Sequence, residues 1–181
     1  MDYLVFIFSF FKDWRQTGSL VPSSWFLARR MIRPIDFTSA KVIVELGAGT
    51  GVVTRMILKK MRHDARLYVF EINKTFCARL RRIKDDRLVI INDSAAEIKK
   101  YLSGKRANHV VSSLPVAVLT PKLTNLILKS VYQNLKKGGG FTQFQYTIRS
   151  YDKVKYFFKN VKIGFTLLNI PPAFVYECVK P

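Results

Sequence analysis

The chain has little of what marks a secreted, metal-dependent or membrane-spanning protein. Two of its 181 residues are cysteine and two are histidine. Cys77 and Cys178 lie far apart and form no C-x-x-C pair, so a disulfide framework is not expected and reduced thiols in the cytoplasm are. His63 and His109 have no neighbouring cluster of Cys, Asp or Glu at metal spacing, so no metal site is expected. The most apolar stretch, Tyr3 to Phe11, falls well short of the ~20 residues a spanning helix requires. It has no basic region before it and no small-residue cleavage site after it, which argues against a signal peptide. Gly-Lys-Ser/Thr is missing, so there is no phosphate-binding P-loop. Internal repeats and low-complexity tracts are missing as well. Acidic residues are few: 12 Asp and Glu stand against 31 Lys and Arg, a net charge of +19. A surplus of that size, spread along the chain, favours an anionic partner, either nucleic acid or an anionic lipid surface.

What is present is a chain of 49% apolar residues, long enough for one domain with a full core. Its organising stretch is Val42 to Thr54, VIVELGAGTGVVT. Val42-Ile43-Val44 is a β-branched run suited to a strand buried on both faces. Gly47, Gly49 and Gly51 follow on alternate positions, and Val52 to Lys60 reads as a helix. A strand, a glycine turn and a helix let a nucleotide lie against the backbone, because glycine has no Cβ to block it. The dinucleotide-binding pattern calls for Gly or Ala where Val52 stands. What remains is E-x-G-x-G-x-G, from Glu45 to Gly51.

Further strands are expected at Leu67–Phe70, Arg87–Ile91, ending at Val110-Val111, Phe141–Thr147, Val161–Leu168 and Ala173–Val179. Helices are expected at Asn73–Arg82, Ala95–Leu102, Pro121–Leu135 and Tyr151–Asn160, with Lys136 to Gly140 as a helix stop. Seven strands alternating with helices, ending in a hairpin through Asn169-Ile170-Pro171-Pro172, predict one α/β domain. The predicted sheet is mixed, in the order 3-2-1-4-5-7-6, with strand seven antiparallel. Glu71, at the tip of the second strand and about 20 residues beyond Gly51, is placed to accept both hydroxyls of a ribose. Ser94 and Glu97 have the spacing of a capping box. Asp93 is left to cap the same helix or to accept from an adenine amine. Ser112-Ser113-Leu114-Pro115 follows the fourth strand and lies on the crevice that parallel strands form at their carboxyl ends. Gln143 and Gln145 share one face of the fifth strand, and Tyr146 lies near its end.

Ahead of the first strand, Met1 to Trp14 is apolar and aromatic, with Lys12 and Arg15 close by. This composition suits a helix lying among lipid headgroups, and equally a helix packed on the domain or a dimer contact. A second helix runs to Ile32 and stops before Pro34, with Ser23 or Ser24 as its N-cap. Residues 1–36 are read as a leading, membrane-contacting and lid segment, and 37–181 as the main domain.

Phe10-Phe11-Lys12-Asp13-Trp14, Val21-Pro22-Ser23-Ser24, Glu45 to Gly51, Ser113-Leu114-Pro115, Gln143-Phe144-Gln145-Tyr146 and Asn169 to Ala173 carry a resemblance along nearly the whole chain. It resembles the small soluble bacterial phospholipid N-methyltransferases, relatives of the ribosomal RNA adenine dimethylases. The resemblance implies a Rossmann-like class I methyltransferase fold and S-adenosylmethionine as methyl donor. It implies a donor site of Ser23, Glu45, Gly47, Gly49, Thr50, Gly51, Glu71, Ile72, Asp93, Ser94, Ser112 and Leu114. Ser113, Pro115 and Tyr146 would meet the substrate, and Ser112 and Tyr146 would orient its amine. The implied substrate is phosphatidylethanolamine, met at the inner membrane surface by a cytoplasmic, peripheral protein. An RNA adenine N6-methyltransferase is the rival reading, although where those enzymes show Asn-x-Pro-aromatic this chain has Ser112 and Val116. A non-catalytic membrane adaptor is a third.

Overall fold

The computed structural model describes residues 22–116, 119–166 and 172–181. Helix α1 (Pro22–Ile32) precedes strand β1 (Val42–Leu46), helix α2 (Val52–Lys60), β2 (Arg66–Phe70), α3 (Lys74–Leu80) and β3 (Leu88–Ile91). A 3-10 turn (Ala95–Glu97), α4 (Ile98–Tyr101), β4 (Ala107–Ser112), α5 (Pro121–Asn134) and β5 (Leu135–Gln145) follow. A second 3-10 turn (Ile148–Ser150), α6 (Tyr151–Phe157), β6 (Asn160–Thr166) and β7 (Ala173–Val179) complete the order. The sheet runs β3-β2-β1-β4-β5-β7-β6, as expected, with β7 antiparallel to both neighbours.

Strand β1 is central and every residue in it is buried, which is what a β-branched run between two helical layers should give. Its alternation splits the core in two. Val42, Val44 and Leu46 face α4, α5 and α6, together with Ile98, Ile127, Leu128 and Phe158. Ile43 faces α1 and α2, with Met31, Ile32, Ile57 and Leu58. Helix α1 therefore packs into the same core as the strands. At its outer end Arg30 Nη2 lies 2.9 Å from Glu177 Oε1 of β7, and its guanidinium covers Gly164 of β6.

Several boundaries differ from those the sequence predicts. The Lys136 to Gly140 run is not a helix stop: β5 already begins at Leu135. Gly138 N–H donates to the Lys180 carbonyl at 2.8 Å and Lys180 N–H to that of Gly139 at 2.9 Å, so a partner distant in sequence draws this glycine-rich run into the sheet. Ser23 and Ser24 lie inside the first turn of α1, because Pro22 starts the helix, a position where a missing N–H costs nothing. The Ala95–Leu102 helix is a 3-10 turn followed by a single helical turn. Asn73 is an N-cap, its side chain accepting from the N–H of Thr75 and Phe76. The last helix ends at Phe157, since Asn160 already pairs with Val179. Met1 to Trp14 and the Asn169 to Pro171 part of the hairpin link lie outside the described residues.

Candidate active site

The carboxyl ends of β1, β2, β3 and β4 meet at one edge of the sheet, held by backbone pairing that continues past the strands. Gly47 N–H donates to the Phe70 carbonyl at 2.8 Å, Glu71 N–H to Ile91 at 3.0 Å, and Ser113 N–H to Leu46 at 2.8 Å. The glycine turn, Glu71 and the Ser112–Pro115 turn are thus neighbours.

All three turn glycines have positive φ: 73°, 54° and 82° at Gly47, Gly49 and Gly51. A Cβ at Gly47 would stand 2.7 Å from Leu114 Cδ2, and one at Gly51 would stand 2.8 Å from Leu80 Cδ2. A Cβ at Gly49 would meet nothing within 4 Å. The outer two glycines are therefore required by packing, while the middle one faces open space. Arg55 Nη1 fastens the turn from behind, donating to the carbonyls of Thr50 and Gly51 at 3.0 Å each.

Glu71 is buried, and two backbone donors aim its carboxylate: Gly49 N–H reaches Oε2 and Asn73 N–H reaches Oε1, each at 2.9 Å. An ionised carboxylate accepts about four hydrogen bonds, so acceptor capacity remains for a diol. Asn92 Nδ2 and Cys77 Sγ both donate to the Glu71 carbonyl and fix the strand tip. Ile72, next in the chain, is 74% exposed.

Glu45 stands differently from what its motif position suggests. It is fully buried, on the α2 side of β1, and accepts from Thr54 Oγ1 at 2.7 Å through Oε2. Its Oε1 has no hydrogen-bond partner. Burial raises its pKa to about 7, against the opposing Thr54 hydrogen bond. Glu45 thus joins β1 to α2 beneath the turn and does not line the crevice. Asp93 is also mostly committed. Ser94 N–H reaches Oδ1 at 2.7 Å, and the Tyr101 hydroxyl and Lys100 Nζ reach Oδ2 at 2.6 and 3.3 Å. The Tyr101 hydrogen bond is the chief cause of its lowered pKa. With Ser94 N–H taken by Asp93, the capping box does not form, and Ser94 Oγ accepts from Ala96 N–H. The Ser23 side chain lies outside the described residues.

Around the fourth-strand turn, Ser112 is buried, Ser113 and Leu114 are half-buried and Pro115 is exposed. Ser112 follows the alternation of Val110, towards α5. Tyr146 packs with Phe144 on the opposite face, ring centroids 5.4 Å apart. Ser112 and Tyr146 thus lie towards opposite faces of the sheet at the strand ends. Two residues outside the expected donor and substrate sets also reach this turn. Gln143 and Gln145 both donate to the Leu114 carbonyl, at 2.9 and 3.2 Å. In the sequence they stood out by their shared face of β5 and by the Gln143-Phe144-Gln145-Tyr146 motif.

Adenosyl donors carry a ribose diol, an apolar adenine face and a cationic centre. The open space at Gly49, the aimed carboxylate of Glu71 and the exposed Ile72 fit the first two, so this donor set suits S-adenosylmethionine. Sheet order and glycine site together define a class I S-adenosylmethionine-dependent methyltransferase. Solved structures share the fold. An rRNA methylase of Streptococcus thermophilus covers 91% of this chain and 100% of its own, with TM-score 0.65 and 14% identity. An rRNA methyltransferase of T. thermophilus, solved with AdoMet and guanosine, covers 91% of this chain and 44% of its own, with TM-score 0.67 and 15% identity. No protein-family model matches the chain. Among curated proteins, an ornithine lipid N-methyltransferase of Singulisphaera acidiphila is 33% identical over 98% of this chain and 95% of its own. A ribosomal RNA small subunit methyltransferase A of Alcanivorax borkumensis is 28% identical over 58% of this chain and 37% of its own. The chain belongs to the family of S-adenosylmethionine-dependent lipid N-methyltransferases, related to the ribosomal RNA adenine dimethylases.

Proposed function

We propose that this protein methylates the primary amine of phosphatidylethanolamine at the cytoplasmic surface of a membrane. The observation that carries the lipid reading is the near full-length likeness to a lipid N-methyltransferase, where the likeness to the ribosomal RNA enzyme covers little more than half the chain. The cofactor, when bound, supplies an already activated methyl group. The protein's task is then to hold an amine nitrogen in line with it, ~3 Å away. Gly47, Gly49, Gly51 and Glu71 hold the donor; Ile72 covers its base. Ser113 and Pro115 of the fourth-strand turn meet the headgroup, with Ser112 and Tyr146 on either side. A primary amine of pKa ~10 must lose its proton before it attacks. Desolvation between the apolar walls of the crevice lowers that pKa. Trp25 and Phe26 of α1 are exposed, and Arg29 stacks over the Trp25 ring at 5.6 Å. Aromatic rings beside cations favour the headgroup zone, which supports action on a membrane.

Incubation with labelled methyl donor tests this against three separate acceptors: phosphatidylethanolamine vesicles, ornithine lipid vesicles and unmodified ribosomal RNA. Label in phosphatidylethanolamine is expected. Label confined to ornithine lipid would move the substrate within the lipid class, and label confined to RNA would overturn the lipid reading.

A further inference from the structure

The fourth-strand turn is held by an unusual convergence of donors. The Leu114 carbonyl accepts Val116 N–H at 2.8 Å, Gln143 Nε2 at 2.9 Å and Gln145 Nε2 at 3.2 Å. Three donors on one carbonyl exceed its two lone pairs. The Val116 bond closes a three-residue turn centred on Pro115, whose ring fixes φ near about −65°. The side chain of the same residue, Leu114, occupies the place where Gly47 would carry a Cβ. Leu114 thus touches the donor-binding turn with its side chain and β5 with its carbonyl.

Gln143 is held in one orientation. Its Nε2 donates to the carbonyls of both Leu114 and Phe144, at 2.9 and 2.7 Å, and an oxygen there would face two acceptors. The consequence is at its other end: Oε1 is buried with no hydrogen-bond donor. A buried acceptor without a donor costs free energy, so a glutamine here is a poor choice for stability alone. Residues that break a local rule in this way mark function.

We infer that Gln143 and Gln145 are positioning residues for methyl transfer, bracing the Leu114 carbonyl so that the Ser112–Pro115 turn holds the acceptor amine in line with the methyl group above Gly47. With three donors already on it, the Leu114 carbonyl has little capacity left for the substrate. The amine is received by the neighbouring serines, whose direction the brace sets. The inference rests on methyl transfer to an amine and holds for either a lipid or a nucleobase acceptor.

The test is made on the full chain with Gln143→Met, Gln145→Met and the double variant. Methionine keeps the length of glutamine and removes the donor. For Gln143→Met, Tm and calorimetric affinity for S-adenosylmethionine are expected to stay near wild type. Its kcat is expected to fall tenfold or more with little change in KM. The double variant should lose less than the product of the single losses, because both side chains act on one carbonyl. Wild-type kcat in both single variants and the double overturns the brace, and so does a loss of kcat that merely follows Tm and cofactor affinity. If Gln143→Met does not fold, Gln145→Met alone decides: a several-fold kcat loss at unchanged Tm supports the brace, and wild-type kcat overturns it. Should the wild type label RNA and not lipid, the lipid reading falls, and the same variants assayed on RNA still judge the brace.

Discussion

At the scale of the residue, two glutamates with similar motif standing have separate tasks. Glu71 is aimed by Gly49 N–H and Asn73 N–H and keeps acceptor capacity for a diol. Hydrogen bonds to a charged group contribute about 1.5–3 kcal/mol, so Glu71→Ala should weaken S-adenosylmethionine binding by about ten- to a hundredfold. Calorimetry that found unchanged affinity would remove Glu71 from the sugar. Glu45 is a matter of stability. Its carboxyl is raised from 4.5 to about 7 by burial, so between those values the folded state holds a proton that the unfolded chain has released. Its contribution is therefore fully present below pH 4.5 and lost as pH rises through about 7, on the order of 3 kcal/mol in all. Glu45→Gln should flatten the stability curve over that window and leave the protein more stable at pH 8, as read from denaturant midpoints. The sequence made both glutamates visible. It did not separate them, since only the closed packing around Thr54 shows that one faces the core.

At the scale of the element, glycines in β5 and β6 make a contrast. A Cβ at Gly140 would overlap the imidazole of His109, which is buried and bonded to Thr142 Oγ1 at 2.7 Å. That ring has nowhere to go. Gly140→Ala should cost about 1–3 kcal/mol, the range for overpacking, and lower Tm by several degrees. Gly164 has the Arg30 guanidinium above it, the mobile end of a long side chain, so Gly164→Ala should leave Tm nearly unchanged. Equal effects at the two sites would contradict this picture of β4, β5 and α1. Strands β1 to β4 were legible because their short apolar runs, β-branched or aromatic, need no help from distant residues to declare themselves. The start of β5 was not, because Lys136 to Gly140 has the local composition of a stop and becomes strand through its pairing with β4 and with the chain at Val179 and Lys180. The brace on Leu114 was hidden for the same reason: it spans two strands joined by a helix.

At the scale of the whole molecule, charge and apolar surface act together. With a net charge of +19, each Lys or Arg near an anionic leaflet adds about 1 kcal/mol, screened within a Debye length. Vesicle sedimentation should therefore weaken steeply as salt rises. Deleting Met1 to Arg15 should abolish it while leaving cofactor affinity intact. Sedimentation that survives the deletion would assign the contact to α1 and the rest of the domain. The strand order has a consequence for how the protein is made. Among the described residues β6 pairs only with β7, and β7 enters the sheet between β5 and β6. While the ribosome is still adding residues before Ala173, the nascent β6 has no rung to climb onto and β5 stays an open edge. The half of the sheet that carries Gln143 and Gln145 is thus the last to close during synthesis, and the donor-binding half can be in place before it.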